Sequence, residues 1–142
     1  MMLIDADACP VIDIAIACAR KHGIDVTLVC DSCHELHKDS AVTVHVDKGA
    51  DSADFALVNR VSPGDIVITQ DYGVAAMALS KKSKALNQNG LIYTDDNIDS
   101  LLMSRYTAQK IRRAGGRIKG PAKRTKEQDE AFRLALEQLI SE

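Results

Sequence analysis

The sequence predicts an α/β protein with three layers, in which a largely parallel β-sheet lies between two layers of helices. Short apolar runs typical of strands alternate along the chain with longer segments whose apolar residues recur at helical spacing. Three of the short runs end in aspartate, as buried strands do when they bring acids to the edge of a sheet. At 142 residues the chain suits one domain with its own core, so we predict a single domain over 1–142.

The first half of the chain alternates between strand and helix patterns. Pro10 stands where a helix can begin, and Gly23 stands where that helix can end. The segment 32–40 has no clear period and indicates a loop or a short helical turn. The predicted elements are strands at 1–4, 26–30 and 43–46, and helices from Pro10 to Gly23 and from about 52 to 61.

Glycine and proline separate the elements of the second half. Ser62-Pro63-Gly64-Asp65 predicts a turn, because proline fixes φ and glycine relaxes it. Gly115-Gly116 ends a long helix, and Thr125 with Gln128 fits a capping box that opens the last one. The predicted elements are strands at 66–69 and 91–93, and helices at 73–82, about 98–114 and about 126–140.

Positive charge is concentrated in one segment of an otherwise acidic chain. Residues 105–126 carry nine Lys or Arg and no acid, whereas residues 1–104 carry 15 acids and eight Lys or Arg. Such clustering indicates a polyanion partner such as RNA, with a solvated helix face and loop as the alternative. The residues expected to contact phosphates are Arg105, Lys110, Arg112, Arg113, Arg117, Lys119, Lys123 and Arg124.

Composition also excludes several classes of protein. No apolar run approaches the ~20 residues that cross a membrane, and the start lacks the features of a secretory signal, so we expect a cytoplasmic protein with no membrane contact. Cys30, Cys33 and His34 match the attachment motif of c-type haem, but that attachment belongs to exported chains, so we expect no haem. His34 and His37 crowd one cysteine pair, a spacing that is not typical of zinc sites, so we expect no zinc.

Aspartates that follow predicted strands are the strongest functional signal. Asp5 and Asp7 follow the first strand, Asp71 follows the strand at 66–69, and Asp95 with Asp96 follows the strand at 91–93. The carboxyl ends of parallel strands meet at one edge of the sheet, where open α/β proteins bind ligands. Carboxylates crowd together at a high cost unless they share a proton or a cation. The sequence therefore predicts a site for Mg²⁺ or Mn²⁺, which prefer oxygen ligands.

Several of these acids also have a structural interpretation. Asp7 and Asp54 stand at or near the start of predicted helices, where an acid can cap the helix or stabilise its dipole. Asp96 fits a helix cap better than a ligand, and Asp95 remains the candidate of that pair. Beside the strand-end acids, Asp54 becomes a candidate ligand from a helix across the cleft. Cys9 precedes the first helix, a location that predicts a lowered thiol pKa.

Four motifs, supported by Asp129 and Phe132, carry a resemblance to a known family. They are Asp5-Ala6-Asp7-Ala8-Cys9-Pro10, Gly49-Ala50-Asp51-Ser52-Ala53-Asp54, Gly64-Asp65-Ile66-Val67-Ile68-Thr69-Gln70-Asp71 and Gly120-Pro121. In their order and spacing the chain resembles the bacterial YaiI/YqxD family over nearly its whole length. That family is similar to the PIN and NYN nucleases, so the resemblance implies a PIN-like fold and, by analogy of fold alone, nuclease activity.

The resemblance also implies roles for individual residues. The metal-holding and catalytic acids of a PIN-type site would be Asp5, Asp54 and Asp71, with Asp95 near the fourth position. The chain departs from many family members at 87–90, where Asn-Gln-Asn-Gly replaces Asn-Pro-Arg-Gly and removes one arginine from the phosphate contacts.

Three functional hypotheses follow. The leading one is a phosphodiesterase that cleaves RNA with Mg²⁺ or Mn²⁺ held by Asp5, Asp54 and Asp71, supported through water by Asp7 and Asp95. The second is a phosphatase of the haloacid dehalogenase type, in which Asp5 is the nucleophile and Asp7 is the general acid. Thr69, Lys81 or Lys82, and Asp95 with Asp96 would complete that set. The third is a nucleic-acid-binding module without catalysis. The acids argue against this third hypothesis, because they would repel phosphates and so weaken the binding of a protein that only binds nucleic acid.

Overall fold

A computed structural model of the protein describes residues 1–7, 9–31, 38, 40–47, 52–104 and 123–142, with only the backbone of Ser52. These residues form one six-stranded sheet with helices on both faces. The predicted three-layer α/β/α class is therefore confirmed. Among the helices in these ranges, none is long and apolar enough to cross a membrane.

Strands and helices alternate along most of the chain. The strands are β1 (Met2–Asp5), β2 (Val26–Cys30), β3 (Ala41–His45), β4 (Ile66–Ile68), β5 (Lys84–Leu86) and β6 (Ile92–Tyr93). The helices are α1 (Ile12–Lys21), α2 (Ser52–Val58), α3 (Tyr72–Ser80), α4, described over 98–104, and α5 (Lys126–Ser141). The sequence pattern did not indicate β5, which adds a strand between β4 and β6.

The strand order is β3-β2-β1-β4-β5-β6, and all neighbours are parallel except β5 and β6. The first three strands extend the sheet in one direction from β1, and the last three extend it in the other direction from β4. The order therefore reverses between β1 and β4. Open α/β sheets form a crevice at the carboxyl ends of the two strands on either side of such a reversal.

Two hydrophobic cores cover the two faces of the sheet. Successive side chains of β1 point to opposite faces, so Ile4 packs with Phe132 on the α1 and α5 side, while Leu3 packs with Leu57 on the α2 and α3 side. All four of these side chains are at most 1% exposed. Burial on both faces explains why β1, β2 and β4 are nearly continuous apolar runs.

The last helix is fixed at both ends. At its start the Thr125 hydroxyl accepts a hydrogen bond from the backbone of Gln128, whose side chain accepts one from the Thr125 backbone, a complete capping box. Near its end the Lys84 ammonium of β5 donates to the carbonyl of Leu139 at 2.8 Å. His22 Nε2, just beyond α1, lies 2.7 Å from a carboxylate oxygen of Glu137. The helix is thus tied to both the sheet and α1.

Candidate functional site

Asp5 stands at the carboxyl end of β1, beside the reversal in strand order, and its side chain is partly buried. The pKa of its carboxyl is raised from 3.8 to about 6. Burial is the largest cause, a hydrogen bond from Thr69 lowers the pKa, and the charges of Asp54, Asp7 and Asp71 raise it. Asp7, Asp54 and Asp71 are therefore close enough for their charges to act on Asp5. The structure brings together four of the five acids that the sequence nominated.

Asp71 follows β4 on the other side of the reversal and caps α3. Its Oδ1 accepts a hydrogen bond from the backbone N–H of Val74 at 3.1 Å. Gly73 leaves room for this carboxylate, because a Cβ at that position would lie 3.1 Å from Asp71 Oδ1. The capping bond fixes the direction in which the carboxylate points.

Thr69 links the two strands at this edge and is only 2% exposed. Its hydroxyl accepts a hydrogen bond from the backbone N–H of Asp71 and donates one to Asp5 Oδ2, both at 3.0 Å. Its carbonyl accepts a bond from the hydroxyl of Tyr93, also at 3.0 Å. Because the Asp71 amide occupies a lone pair, the single hydroxyl proton is directed at Asp5. Sequence reasoning missed this role, since a threonine inside a strand pattern is explained by β propensity alone.

Thr69→Val is expected to lower the free energy of unfolding by about 1–2 kcal/mol, because it leaves the Asp71 amide unsatisfied and removes the bond to Asp5. The pKa of Asp5 should then rise above its wild-type value. Chemical denaturation and a carboxyl NMR titration measure the two effects. Thr69→Ser keeps the hydroxyl and is the matched control, so an equal loss in both variants would contradict the role of the hydroxyl.

Asp7 is oriented by the end of the neighbouring strand. Its two carboxylate oxygens lie 3.1 and 3.3 Å from the backbone N–H of Asp31, which donates to them directly after β2. Asp54 lies in the first turn of α2 and is partly buried. Asp31 adds a further acid to this edge that the sequence did not suggest, because it follows a run ending in cysteine.

Asp95 does not belong with this cluster. β6 runs antiparallel to β5, with Ala85 paired to Tyr93, so the chain leaves β6 towards the amino edge of the sheet. Asp95 and Asp96 follow it there and are both exposed. The prediction that three strands deliver acids to one edge holds for β1 and β4 and is wrong for β6, because an isolated apolar run does not reveal strand direction.

Arg124 reaches the turn that follows β5, at the same carboxyl edge. Its guanidinium donates to a carboxylate oxygen of Asp129 at 2.5 Å, to the side-chain oxygen of Asn89 at 2.7 Å and to the carbonyl of Gln88 at 2.6 Å. An arginine just ahead of α5 is therefore bonded to this turn.

The Cys9 thiol is near enough to Asp5 and Arg124 for both charges to act on it. Burial raises the pKa of its thiol and the charge of Asp5 raises it too, while the charge of Arg124 lowers it. The expectation of a lowered pKa is wrong, because α1 begins only at Ile12 and burial outweighs its N-terminus. Cys9 is thus a protonated, neutral thiol at pH 7.

Two other nominated residues lie in the part of the chain that the structure describes. Lys123 is exposed, just ahead of α5. Cys30 is fully buried and disulfide-bonded, with Sγ 4.0 Å from His45 Nδ1. The nominated residues that lie outside the described part of the chain are Arg105, Lys110, Arg112, Arg113, Arg117, Lys119, Cys33, His34 and His37.

The described side chains do not by themselves form a metal site. Among them, no group of three or more His, Cys, Asp or Glu is arranged to hold a metal ion. The acids around Asp5 therefore interact at the range of charge repulsion without forming a closed set of ligands. A bound cation at this edge would need water molecules or a substrate oxygen to complete its coordination.

Comparison with known proteins identifies the family. Residues 3–142 match the family described as "Uncharacterized BCR, YaiI/YqxD family". The chain belongs to the YaiI/YqxD family. The matched range includes every acid of the site.

Individual relatives in the YaiI/YqxD family support this assignment. A UPF0178 protein of Ruminiclostridium cellulolyticum is 58% identical over 135 residues, covering 95% of this chain and 88% of the relative. A UPF0178 protein of Exiguobacterium sibiricum is 51% identical over 139 residues, covering 98% of this chain and 95% of the relative. No solved structure matches the chain.

Proposed function

We propose that this YaiI/YqxD protein is a phosphodiesterase that cleaves RNA with a divalent metal ion. The observation that carries the proposal is the gathering of Asp7, Asp54 and Asp71 around Asp5, where their charges help to raise its pKa to about 6. Negative charge accumulated beside a reversal in strand order favours a cationic ligand at the position where such sheets bind ligands.

Mg²⁺ or Mn²⁺ suits this donor set. Asp5, Asp54 and Asp71 would hold the ion, in part through bound water, with Asp7 also contributing through water, because no three of the described side chains are already arranged as direct ligands. Carboxylate oxygens are hard ligands, and Mg²⁺ usually binds one or two carboxylates and keeps several waters. When bound, such an ion supplies a water of lowered pKa and neutralises charge on the attacked phosphate.

The side chains of the protein would orient the reacting groups. The hydrogen bond from the Thr69 hydroxyl restrains rotation of the Asp5 carboxylate, and the hydrogen bond from the Val74 backbone N–H in α3 restrains rotation of the Asp71 carboxylate. In-line attack on the phosphodiester would leave a 3′ hydroxyl and a 5′ phosphate. The basic segment 105–126 would hold the backbone phosphates, which requires no particular base sequence.

The phosphatase alternative fits the geometry less well. It needs a lysine beside Asp5, but Lys81 and Lys82 follow the C-terminus of α3, at the opposite edge from its capping residue Asp71. The Lys81 ammonium donates to the carbonyl of Val58 at 2.7 Å. The side chain is thereby held at the amino edge, away from Asp5.

Titration of Mn²⁺ into the purified protein, followed by calorimetry, tests the proposal. Asp71→Asn removes one charge while keeping a good helix cap, so the fold should persist and Mn²⁺ affinity should fall at least tenfold. Manganese-dependent cleavage of a structured RNA should fall in parallel. Asp25→Asn makes the same chemical change at an exposed site on the amino edge and should alter neither. Wild-type protein that neither binds Mn²⁺ nor cleaves RNA with it would refute the proposal.

A further inference from the structure

Two aromatic side chains directly follow two of the site acids. Phe55 follows Asp54 in α2, and Tyr72 follows Asp71 in α3. Both helices cover the same face of the sheet. The Tyr72 ring is partly buried and packs edge-on against Tyr93, with ring centroids 6.0 Å apart at 71°. Tyr72 is therefore held by the core, whereas the ring of Phe55 is 59% exposed.

The exposure of Phe55 distinguishes it from the other large apolar side chains on the surface. Among the described residues, the remaining exposed ones are aliphatic or methionine, namely Met1, Val42, Met77, Leu91, Met103 and Leu134. Within the described ranges Phe55 is the aromatic residue classed as exposed, and it lies one residue from an acid whose charge acts on Asp5. Isolated exposed apolar residues are ordinary, so its position beside the site carries the argument.

An aromatic ring beside a phosphodiester site suits a nucleobase. The base of a nucleotide lies one sugar away from its phosphate, and every base offers a flat face that stacks on an aromatic side chain. In a duplex that face is already stacked and paired, whereas in a single strand it is free. The basic segment alone would not discriminate, because phosphate contacts are made with both forms.

We propose that Phe55 is a stacking platform for one unpaired base, and that the substrate is therefore single-stranded RNA or an unpaired loop. This rests on the proposed function, since it places the neighbouring phosphate at Asp5. A single platform predicts preference for strandedness with little preference for base identity, because stacking tolerates all four bases.

The absence of tryptophan in the chain permits a direct test. Phe55→Trp introduces one fluorophore, and a single-stranded decamer of oligoadenylate should quench it on binding when Ca²⁺, which also prefers oxygen ligands, replaces Mn²⁺. The same decamer annealed to its complement should quench it far less. Val42→Trp is the matched control, because Val42 is 64% exposed on β3 and lies near Asp25 at the amino edge. Equal quenching at both positions would overturn the proposal.

Affinity measurements on side-chain variants give a second readout. Phe55→Ala should weaken binding of the single strand by about fivefold to a hundredfold, and Phe55→Tyr should restore it, with duplex affinity unchanged in both. An unchanged single-strand affinity in Phe55→Ala, or an equal loss for the duplex, would overturn the stacking role. A loss of self-association in that variant, seen by gel filtration, would instead assign the ring to a protein contact.

These outcomes are separable from those of the proposed function. Manganese binding and cleavage that persist unchanged in Phe55→Ala, with single strands bound as before, would remove the platform and leave the phosphodiesterase. Quenching of the tryptophan without any manganese-dependent cleavage would keep the platform and remove the catalysis.

Discussion

Asp5→Asn is expected to make the metal-free protein more stable at neutral pH. The folded state raises the pKa of Asp5 from 3.8 to about 6, so the folded protein binds its proton more tightly than the unfolded chain does. Stability attributable to Asp5 is therefore full at low pH and is lost as pH rises from about 4 to above 6. Asparagine carries no charge at any pH and still accepts the hydrogen bond from Thr69, so it avoids this loss.

The expected gain is about 2–3 kcal/mol at pH 7.5, or about 5–10 °C in Tm, shrinking towards zero near pH 4. Thermal unfolding in EDTA across this pH range measures it, with Asp25→Asn as the control that should show no such trend. A variant less stable than wild type at pH 7.5, or a difference independent of pH, would contradict the raised pKa of Asp5, of which burial is the largest cause.

Manganese should invert the comparison. An ion that binds only the folded state stabilises it by about 4.1 kcal/mol at a concentration about 1,000 times its Kd, which exceeds the advantage of the variant in EDTA. Wild-type protein should gain this stabilisation, and Asp5→Asn should not. The variant would then be the more stable protein in EDTA and the less stable one in saturating Mn²⁺. This reversal in the order of stability distinguishes a carboxylate that binds metal from one that only destabilises the fold. The stability contribution of an acid without a metal role would depend on pH but not on Mn²⁺.

Gly90→Ala is expected to cost about 3–4 kcal/mol of folding free energy. Gly90 has φ of +87°, which an L side chain adopts only with strain, and a Cβ there would lie 2.6 Å from the carbonyl oxygen of Ala131 in α5. A backbone carbonyl cannot rotate away as a flexible side chain can, so the turn and the helix must separate.

Gly64→Ala is the matched control for the backbone strain. Gly64 has nearly the same φ, +86°, and nothing within 4 Å of its would-be Cβ, so its loss should be about 1–2 kcal/mol. The difference between the two variants, measured by urea denaturation, isolates the contact between the turn and α5. Equal losses would show that this contact does not stabilise the protein. Since Arg124 bonds to Asn89 and Gln88 of the same turn, Gly90→Ala should also displace that arginine.

How far the sequence anticipates the site depends on the type of signal. Asp5 was predictable because a charge at the end of a fully apolar run has little structural reason to be there, and β4 ends similarly before Asp71. Asp54 needed the other acids for its interpretation, since an acid in the first turn of a helix is common. These three acids come together because β1 pairs with β4. The alternating pattern of strands and helices predicts the fold class but not which strands pair.

The misses have physical causes. Lys84-Ala85-Leu86 contains only two apolar residues, which is too short a pattern to predict β5. The sequence does not show that the Lys84 ammonium binds the Leu139 carbonyl of α5. Without β5 the direction of β6 was undetermined, and Asp95 was assigned to the wrong edge. The burial that raises the Cys9 thiol pKa comes from tertiary packing, which local position does not report.

The pairing of β1 with β4 also has a kinetic consequence. Thr69 and Asp5, whose hydrogen bond joins the two strands, are 64 residues apart in the chain. The acidic cluster cannot exist until this distant pair has docked, and loop closure over such a length is among the slower events of folding. A metal ion that recognises the cluster would act on the assembled state. If β1 and β4 dock after the folding barrier, manganese will slow unfolding while leaving the rate of folding unchanged.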